Sequence, residues 1–215
     1  MGESRYPNSV MDSDGRDGVS FPCPPTLDID PATHCVAGAR FLPSPNADDR
    51  PDSSDISLLV VHAISLPPGE FGGGDGQSYI DDLFLNQLDT AKHPYFATIR
   101  DLRVSAHACI FRDGSLTQYV SFDRRAWHAG ESTFEERTRC NDFSIGVELE
   151  GCDTQPFTDA QYTTLSRLAA GLLRAYPKLG RENIVGHADI APLRKTDPGP
   201  LFDWQRLRFE LEFPR

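Results

Sequence analysis

The sequence predicts a single α/β (α+β) domain, a central mixed β-sheet flanked by helices. Three observations predict it. The run LLVV at 58–61, inside SLLVVHAI, is apolar, of strand length and unbroken by polar residues, as in strands covered on both faces. VSAHACIF and LTQYVSF, two β-rich segments, are joined around Asp113-Gly114, the dipeptide that supplies a positive-φ hairpin turn. From Thr158 onward Leu165, Leu168, Ala169, Leu172, Leu173 and Tyr176 keep helical spacing on one side. A buried strand, an antiparallel hairpin and a one-faced helix combine most simply as a mixed sheet with helices packed on it.

Taken in order, residues 1–56 hold ten Asp/Glu against four Lys/Arg, a local charge of −6, with many Pro, Ser and Gly and no periodicity. Such a segment buries too little apolar area to offset its ordering entropy. Residues 1–34 are therefore expected to be a disordered acidic extension, with 35–215 as the folded domain. The text VAGARFLPSP from Val36 reads as the domain's edge. SLLVVHAI is the first core strand, and the loop LPPGEFGGGDGQ follows it. Ser78 is placed to cap YIDDLFLNQL, where Ile80, Leu83, Phe84 and Leu88 fall on one helical face. After the hairpin, SIGVELEG at 144–151 is a further strand. Thr158 and Gln161 form a capping box for the amphipathic helix, which Pro177 ends. NIVGH at 183–187 is a short last strand, and Asp203 caps a final helix bearing Trp204, Leu207 and Leu211.

A chain of 215 residues with 39% hydrophobic content fits one catalytic-size domain. Its net charge of −11 repels phosphate backbones and anionic membrane surfaces, which argues against nucleic-acid and membrane partners. Five cysteines, at 23, 35, 109, 140 and 152, form no CxxC pair and cannot all close into disulfides, so a reducing compartment is expected. The N-terminus lacks the apolar core of a secretory signal, and the apolar runs are far shorter than the roughly 20 residues that span a bilayer. The expectation is a soluble, cytoplasmic protein.

Six histidines are sorted by position. His34 lies in the expected tail and His93 in a loop. His62 and His187 each follow a short apolar run, LLVV and NIV, where a core strand delivers its last side chain to the sheet rim. A catalytic zinc takes three protein ligands and keeps a fourth position open. Asp197 in RKTDPGP is the candidate third ligand, since Pro198 favours an extended conformation there and Gly199 lets the chain turn. Glu148 and Glu150 alternate onto one strand face with Leu149 opposite, which suits either a solvated face or a general base beside the metal. Lys195 is a surface lysine or, carried by the same loop, a cation for a developing oxyanion. His107 and His128 remain competitors for the metal.

At these residues the sequence resembles the AmpD-type N-acetylmuramoyl-L-alanine amidases, relatives of the peptidoglycan-recognition and phage-lysozyme-type amidase fold. The resemblance runs from about Val36 to Leu211 through SLLVVHAISLPPGEFGG, HPYF, LRVSAHACIFRDG, VSFDRRAWHAG, RCNDFSIGVELEG, TDAQY, GHADIAP, RKTDPGP and FDW. It implies one zinc per chain held by His62, His187 and Asp197, with Glu148 as catalytic base and Lys195 as oxyanion stabiliser. Tyr95, Arg103, Trp127, Arg139 and Asn141 stand where the family's motifs imply substrate contacts. His107 and His128 become cleft-lining or structural. The implied reaction is zinc-dependent hydrolysis of the amide between the lactyl group of (1,6-anhydro-)N-acetylmuramic acid and L-alanine in muropeptides, in peptidoglycan recycling. The implied partner is a small soluble muropeptide, acted on by a monomer. A non-catalytic muropeptide-binding module and a zinc peptidase on cell-wall peptides are the alternatives. Three departures stand out: Ala63 and Ala188 follow the two histidines where relatives often carry Asn and Cys, and about 25 extra residues precede the usual start.

Overall fold

Leu58, Leu59, Val60 and Val61 are all fully buried, so this strand is covered on both faces as its composition predicts. The computed structural model describes residues 26–73 and 78–212. Short strands β1 (Ile29–Asp30), β2 (Cys35–Val36), β3 (Arg40–Phe41) and β4 (Ala47–Asp49) precede the central β5 (Leu58–Ile64). Helices α1 (Tyr79–Phe84) and α2 (Phe96–Ile99) lead to the hairpin of β6 (Ala108–Ile110) and β7 (Leu116–Gln118). Then come β8 (Arg124–Ala126), β9 (Thr133–Phe134), β10 (Arg137–Thr138), β11 (Ser144–Glu150), α3 (Asp159–Ala175), β12 (Ile184–Gly186), α4 (His187–Ile190) and α5 (Trp204–Glu212).

The main sheet has six strands in the order β12-β5-β11-β6-β7-β3. β12, β5, β11 and β6 run parallel, β7 is antiparallel to β6, and β3 is parallel to β7, which makes the sheet mixed. Strand alternation divides the core. Leu59, Val61, Ile145, Val147 and Leu149 pack with Leu165, Leu168 and Leu172 of α3 and Leu207 and Leu211 of α5. Leu58 and Val60 point the other way, toward Ala129, Cys140, Phe143 and Ile190. On that second face the even positions of β5 and β11 next deliver His62 and Glu148, which are opposite one another in register. The functional face is therefore the one that α3 does not cover.

The helix ends follow the sequence. Thr158 Oγ1 accepts from Gln161 N at 3.2 Å and Gln161 Oε1 from Thr158 N at 3.1 Å, a complete capping box. Asp203 Oδ1 accepts from Arg206 N at 2.9 Å at the start of α5. Helix α1 is shorter than YIDDLFLNQL suggests, stopping at Phe84. The Phe84 carbonyl, which Leu88 N would need in a longer helix, accepts instead from Ser44 Oγ at 2.6 Å and Asn46 Nδ2 at 3.3 Å. Asn86 then turns the chain with φ 59°.

The domain also begins before Cys35. Leu27 and Ile29 pack against the α3 side of the core, and β1 pairs with β2. Leu27 N donates to Arg167 O at 3.2 Å, while the His34 carbonyl accepts from Phe122 N at 3.0 Å and Gln118 Nε2 at 3.3 Å. His34 Nδ1 lies 2.9 Å from Tyr176 Oη. The expected disorder of 1–34 thus does not extend over 26–34, because Leu27 and Ile29 supply the apolar anchor that composition alone hides; residues 1–25 lie outside the described residues. A chain starting at residue 35 should be less stable in urea than one starting at 26 by about 3–5 kcal/mol, from two apolar anchors and the bonds to His34. Equal midpoints would show that the arm contributes nothing.

Candidate metal centre

Three donor atoms converge where β5, α4 and the loop after α4 meet. His62 Nδ1 and His187 Nδ1 are 3.0 Å apart, and Asp197 Oδ2 is 3.1 Å from each. Within the described residues this is the one group of three or more His, Cys, Asp or Glu side chains with metal-ligand spacing. Four ligands bonded tetrahedrally at about 2.0–2.2 Å sit roughly 3.3 Å apart, so the triangle fits zinc. His62 is the fifth residue of β5, and His187 is the first residue of α4 rather than the last of a strand. That turn is built by Asp189, whose Oδ2 accepts from Gly186 N at 2.7 Å. Asp197 is fixed through its main chain, Ala188 N donating to its carbonyl at 2.9 Å, and Gly199 turns the loop with φ 88°.

The outer sides of both rings are engaged. His187 Nε2 donates to the Ala129 carbonyl at 3.1 Å, which leaves Nδ1 as a lone pair aimed at the triangle. His62 Nε2 lies 2.9 Å from His128 Nδ1. Burial carries His62 down to about 4 and His128 well below the usual histidine range, so both rings are neutral, the form that ligates metal. Burial alone would raise the Asp197 carboxyl, but the two imidazoles beside it, His187 and then His62, hold it well below the ordinary range as an anion.

Glu148 faces the same space. Its Oε2 is buried without a hydrogen-bond partner among the described residues. Burial, and then the charge of Asp197, pushes this carboxyl up, while Lys195 pulls it down. Two carboxylates so placed call for a compensating cation, which a bound divalent metal would supply together with the exposed Lys195. Glu150 is on the same strand face but does different work. Its carboxylate accepts from Gly72 N at 2.7 Å and Arg112 N at 3.1 Å, clamping two loops. Glu150→Ala leaves both amides without that acceptor, and thermal or urea unfolding should show a loss of about 2–4 kcal/mol. An unchanged midpoint would remove the clamp.

Of the five expected substrate-contact residues, the structure gathers three. Trp127, Arg139 and Asn141 line one surface hollow of about 350 Å³ with Asp48, Arg125, Gly130 and Asp142. Arg139 is held in the left-handed region at φ 62° and pairs with Asp142 at 3.2 Å. Asn141 also has an internal role, its Oδ1 accepting from His128 N at 3.2 Å and Ala129 N at 2.8 Å. Tyr95 and Arg103 lie outside that hollow: Tyr95 packs partly buried beside α2, and Arg103 is exposed and donates to the carbonyls of Arg100 and Leu102. His107 is structural, accepting from Gly146 N at 3.0 Å and meeting Arg124 O at 3.0 Å. Sequence reasoning passed over Ala129 and Ser144, because a backbone carbonyl and a strand serine carry no spacing signal.

Residues 52–200 match the model of the N-acetylmuramoyl-L-alanine amidase family, and the chain belongs to that family. It is 58% identical over 173 residues to 1,6-anhydro-N-acetylmuramyl-L-alanine amidase AmpD of Escherichia coli K12, covering 80% of this chain and 92% of that protein. The Haemophilus influenzae AmpD is 57% identical over 171 residues, 80% of this chain and 91% of that protein. Among solved structures, a selenomethionine derivative of AmpD superposes with a TM-score of 0.77 at 57% identity, covering 82% of this chain and 96% of that one. The E. coli amidase AmiD, in complex with anhydro-N-acetylmuramic acid-L-Ala-D-γ-Glu-L-Lys, gives 0.52 at 34% identity, over 72% of this chain and 56% of that one.

Proposed function

We propose that this chain is a zinc-dependent amidase that cleaves the amide joining the lactyl group of 1,6-anhydro-N-acetylmuramic acid to L-alanine in soluble muropeptides, as a step of peptidoglycan recycling. The observation that carries the reading is the donor triangle of His62, His187 and Asp197 beside the unpartnered carboxylate oxygen of Glu148. Zinc, when bound, supplies a Lewis-acid charge that polarises the scissile carbonyl and makes water acidic enough to attack near neutral pH. Glu148 takes the proton of the attacking water and passes it to the departing amine of L-alanine. Lys195 offers its ammonium to the developing oxyanion. The hollow lined by Trp127, Arg139 and Asn141 is the place for the sugar or peptide stem. The relatives' names, and the anhydro-muropeptide seen on AmiD, support the substrate class.

No helix among the described residues is long and apolar enough to cross a membrane. We place the reaction in the cytoplasm, in keeping with the odd number of cysteines, and in a monomer. Mass spectrometry of an anhydro-muropeptide digested with and without chelator tests the chemistry: release of free peptide should stop when zinc is removed and return when it is restored. The substrate preference is tested separately. The anhydro ring is preorganised, so kcat/KM for an anhydro-muropeptide should exceed that for the reducing-end muropeptide with the same peptide by at least about tenfold. Equal values, or fast release of peptides from whole sacculi, would remove the recycling assignment while leaving the amidase chemistry intact.

A further inference from the structure

A histidine can present only one bare nitrogen when neutral, and the partner of its other nitrogen decides which. For His187 the decision is made by chemistry, since the Ala129 carbonyl can only accept and therefore keeps the proton on Nε2. His62 meets no such one-way partner. Its Nε2 faces another imidazole, His128 Nδ1, at 2.9 Å, and an imidazole nitrogen either donates or accepts. The next link works either way too, since His128 Nε2 lies 3.1 Å from Ser144 Oγ, a hydroxyl that donates or accepts. When the Ser144 hydroxyl accepts from His128 Nε2, His128 Nδ1 is a lone pair, His62 Nε2 donates to it, and His62 Nδ1 is left bare toward Asp197 and His187.

We propose that His128 and Ser144 are positioning residues, a two-member relay that orients the His62 ring and accepts its Nε2 proton when Nδ1 turns to the metal. The inference rests on the zinc reading above and adds two residues that lie outside the donor triangle. The surroundings are built around this relay. Ser144 is fully buried at the start of β11, and its carbonyl is held by Arg50 Nη2 at 2.7 Å. At Gly146, two residues on, a β-carbon would overlap the His128 ring, so only glycine leaves the ring its place against the strand. Asn141 Oδ1 grips the amides of His128 and Ala129 together. One dipeptide therefore supplies the outer partner of both metal-facing histidines, a ring for His62 and a carbonyl for His187. Partners of this kind orient ligands and are worth 10–100-fold in metal affinity.

The test is competition between the metal-free protein and a chromophoric chelator for zinc alone, with folding checked by circular dichroism. His128→Phe keeps a flat ring but removes the acceptor, and zinc affinity should fall about 10–100-fold. His128→Asn puts an amide oxygen near the position of Nδ1 and should recover most of that loss. Ser144→Ala keeps both rings and should weaken zinc by several-fold. Nitrogen-15 NMR of the zinc-loaded protein should find the His62 proton on Nε2. Should His128→Phe fail to fold, Ser144→Ala and the NMR assignment decide alone. Wild-type affinity in both His128→Phe and Ser144→Ala, or zinc bound through His62 Nε2, would overturn the relay. A wild-type protein that binds no zinc overturns the metal reading with it, whereas a zinc-binding wild type with equally tight variants overturns only the relay.

Discussion

Asp197→Ala should purify with almost no zinc and with amidase turnover reduced by on the order of 10³-fold or more, since the proposed chemistry needs the Lewis acid that this carboxylate would help to hold. Asp197 is the one anionic member of the triangle, and its Oδ2 is 3.1 Å from both imidazole nitrogens. Without it, two imidazoles remain to hold a dication in a largely buried place, where an uncompensated charge is costly. The substitution should leave the fold intact, because the main-chain bond from Ala188 N to the Asp197 carbonyl does not need the carboxylate. Metal analysis of the purified variant alongside turnover of an anhydro-muropeptide is the measurement. Zinc at about one per chain would strike Asp197 from the ligand set, and lost turnover with retained zinc would give it a different role.

Glu148→Gln should do the reverse, keeping the metal and losing roughly 10²–10⁴-fold in turnover, the usual scale for a general acid/base group. Its position is set by strand register opposite His62, and its Oε2 has no hydrogen-bond partner among the described residues, so the amide should sit where the carboxylate did. Gln cannot accept and return a proton. Burial already pushes the Glu148 carboxyl upward, which makes it a better base once the nearby cations keep it ionised. Lys195→Ala should show a loss of similar order with zinc unchanged, from the missing oxyanion partner. Near-normal turnover in either variant would sink that residue's role, and loss of zinc from Glu148→Gln would mean that the glutamate braces the metal.

The sequence carried the fold wherever burial had a period. The all-apolar 58–61 stretch, the Asp113-Gly114 turn and the Thr158/Gln161 box each name a local geometry, and each is present. The two histidines of the triangle stood out because each follows a short apolar run, although His62 lies inside its strand and His187 opens a helix rather than ending a strand. What was not legible depends on contacts distant in sequence. Phe84 stops α1 because Ser44 and Asn46, some forty residues earlier, take its carbonyl. Leu27 and Ile29 looked like tail because their neighbours are acidic, although two apolar side chains on a helix suffice to anchor a short arm. His128 is bound to the site by its ring, 66 residues from His62, and no pattern in WHAG states that distance.

Gly171 sits in the interior of α3, where glycine costs about 1 kcal/mol against alanine and would be an early choice for anyone raising the thermal tolerance of the protein. The arm closes that route. The Leu27 carbonyl lies across the helix at this residue, and a β-carbon there would overlap it. The intrinsic weakness of the helix at Gly171 is thus the saddle over which the arm passes, and filling it would trade a local gain for the arm's displacement. Stabilising changes on α3 belong on its open side instead. At exposed Thr163 the hydroxyl bonds back to the Asp159 carbonyl at 2.9 Å, and the β-branched side chain can give way to alanine without touching the arm, the sheet or the donor triangle.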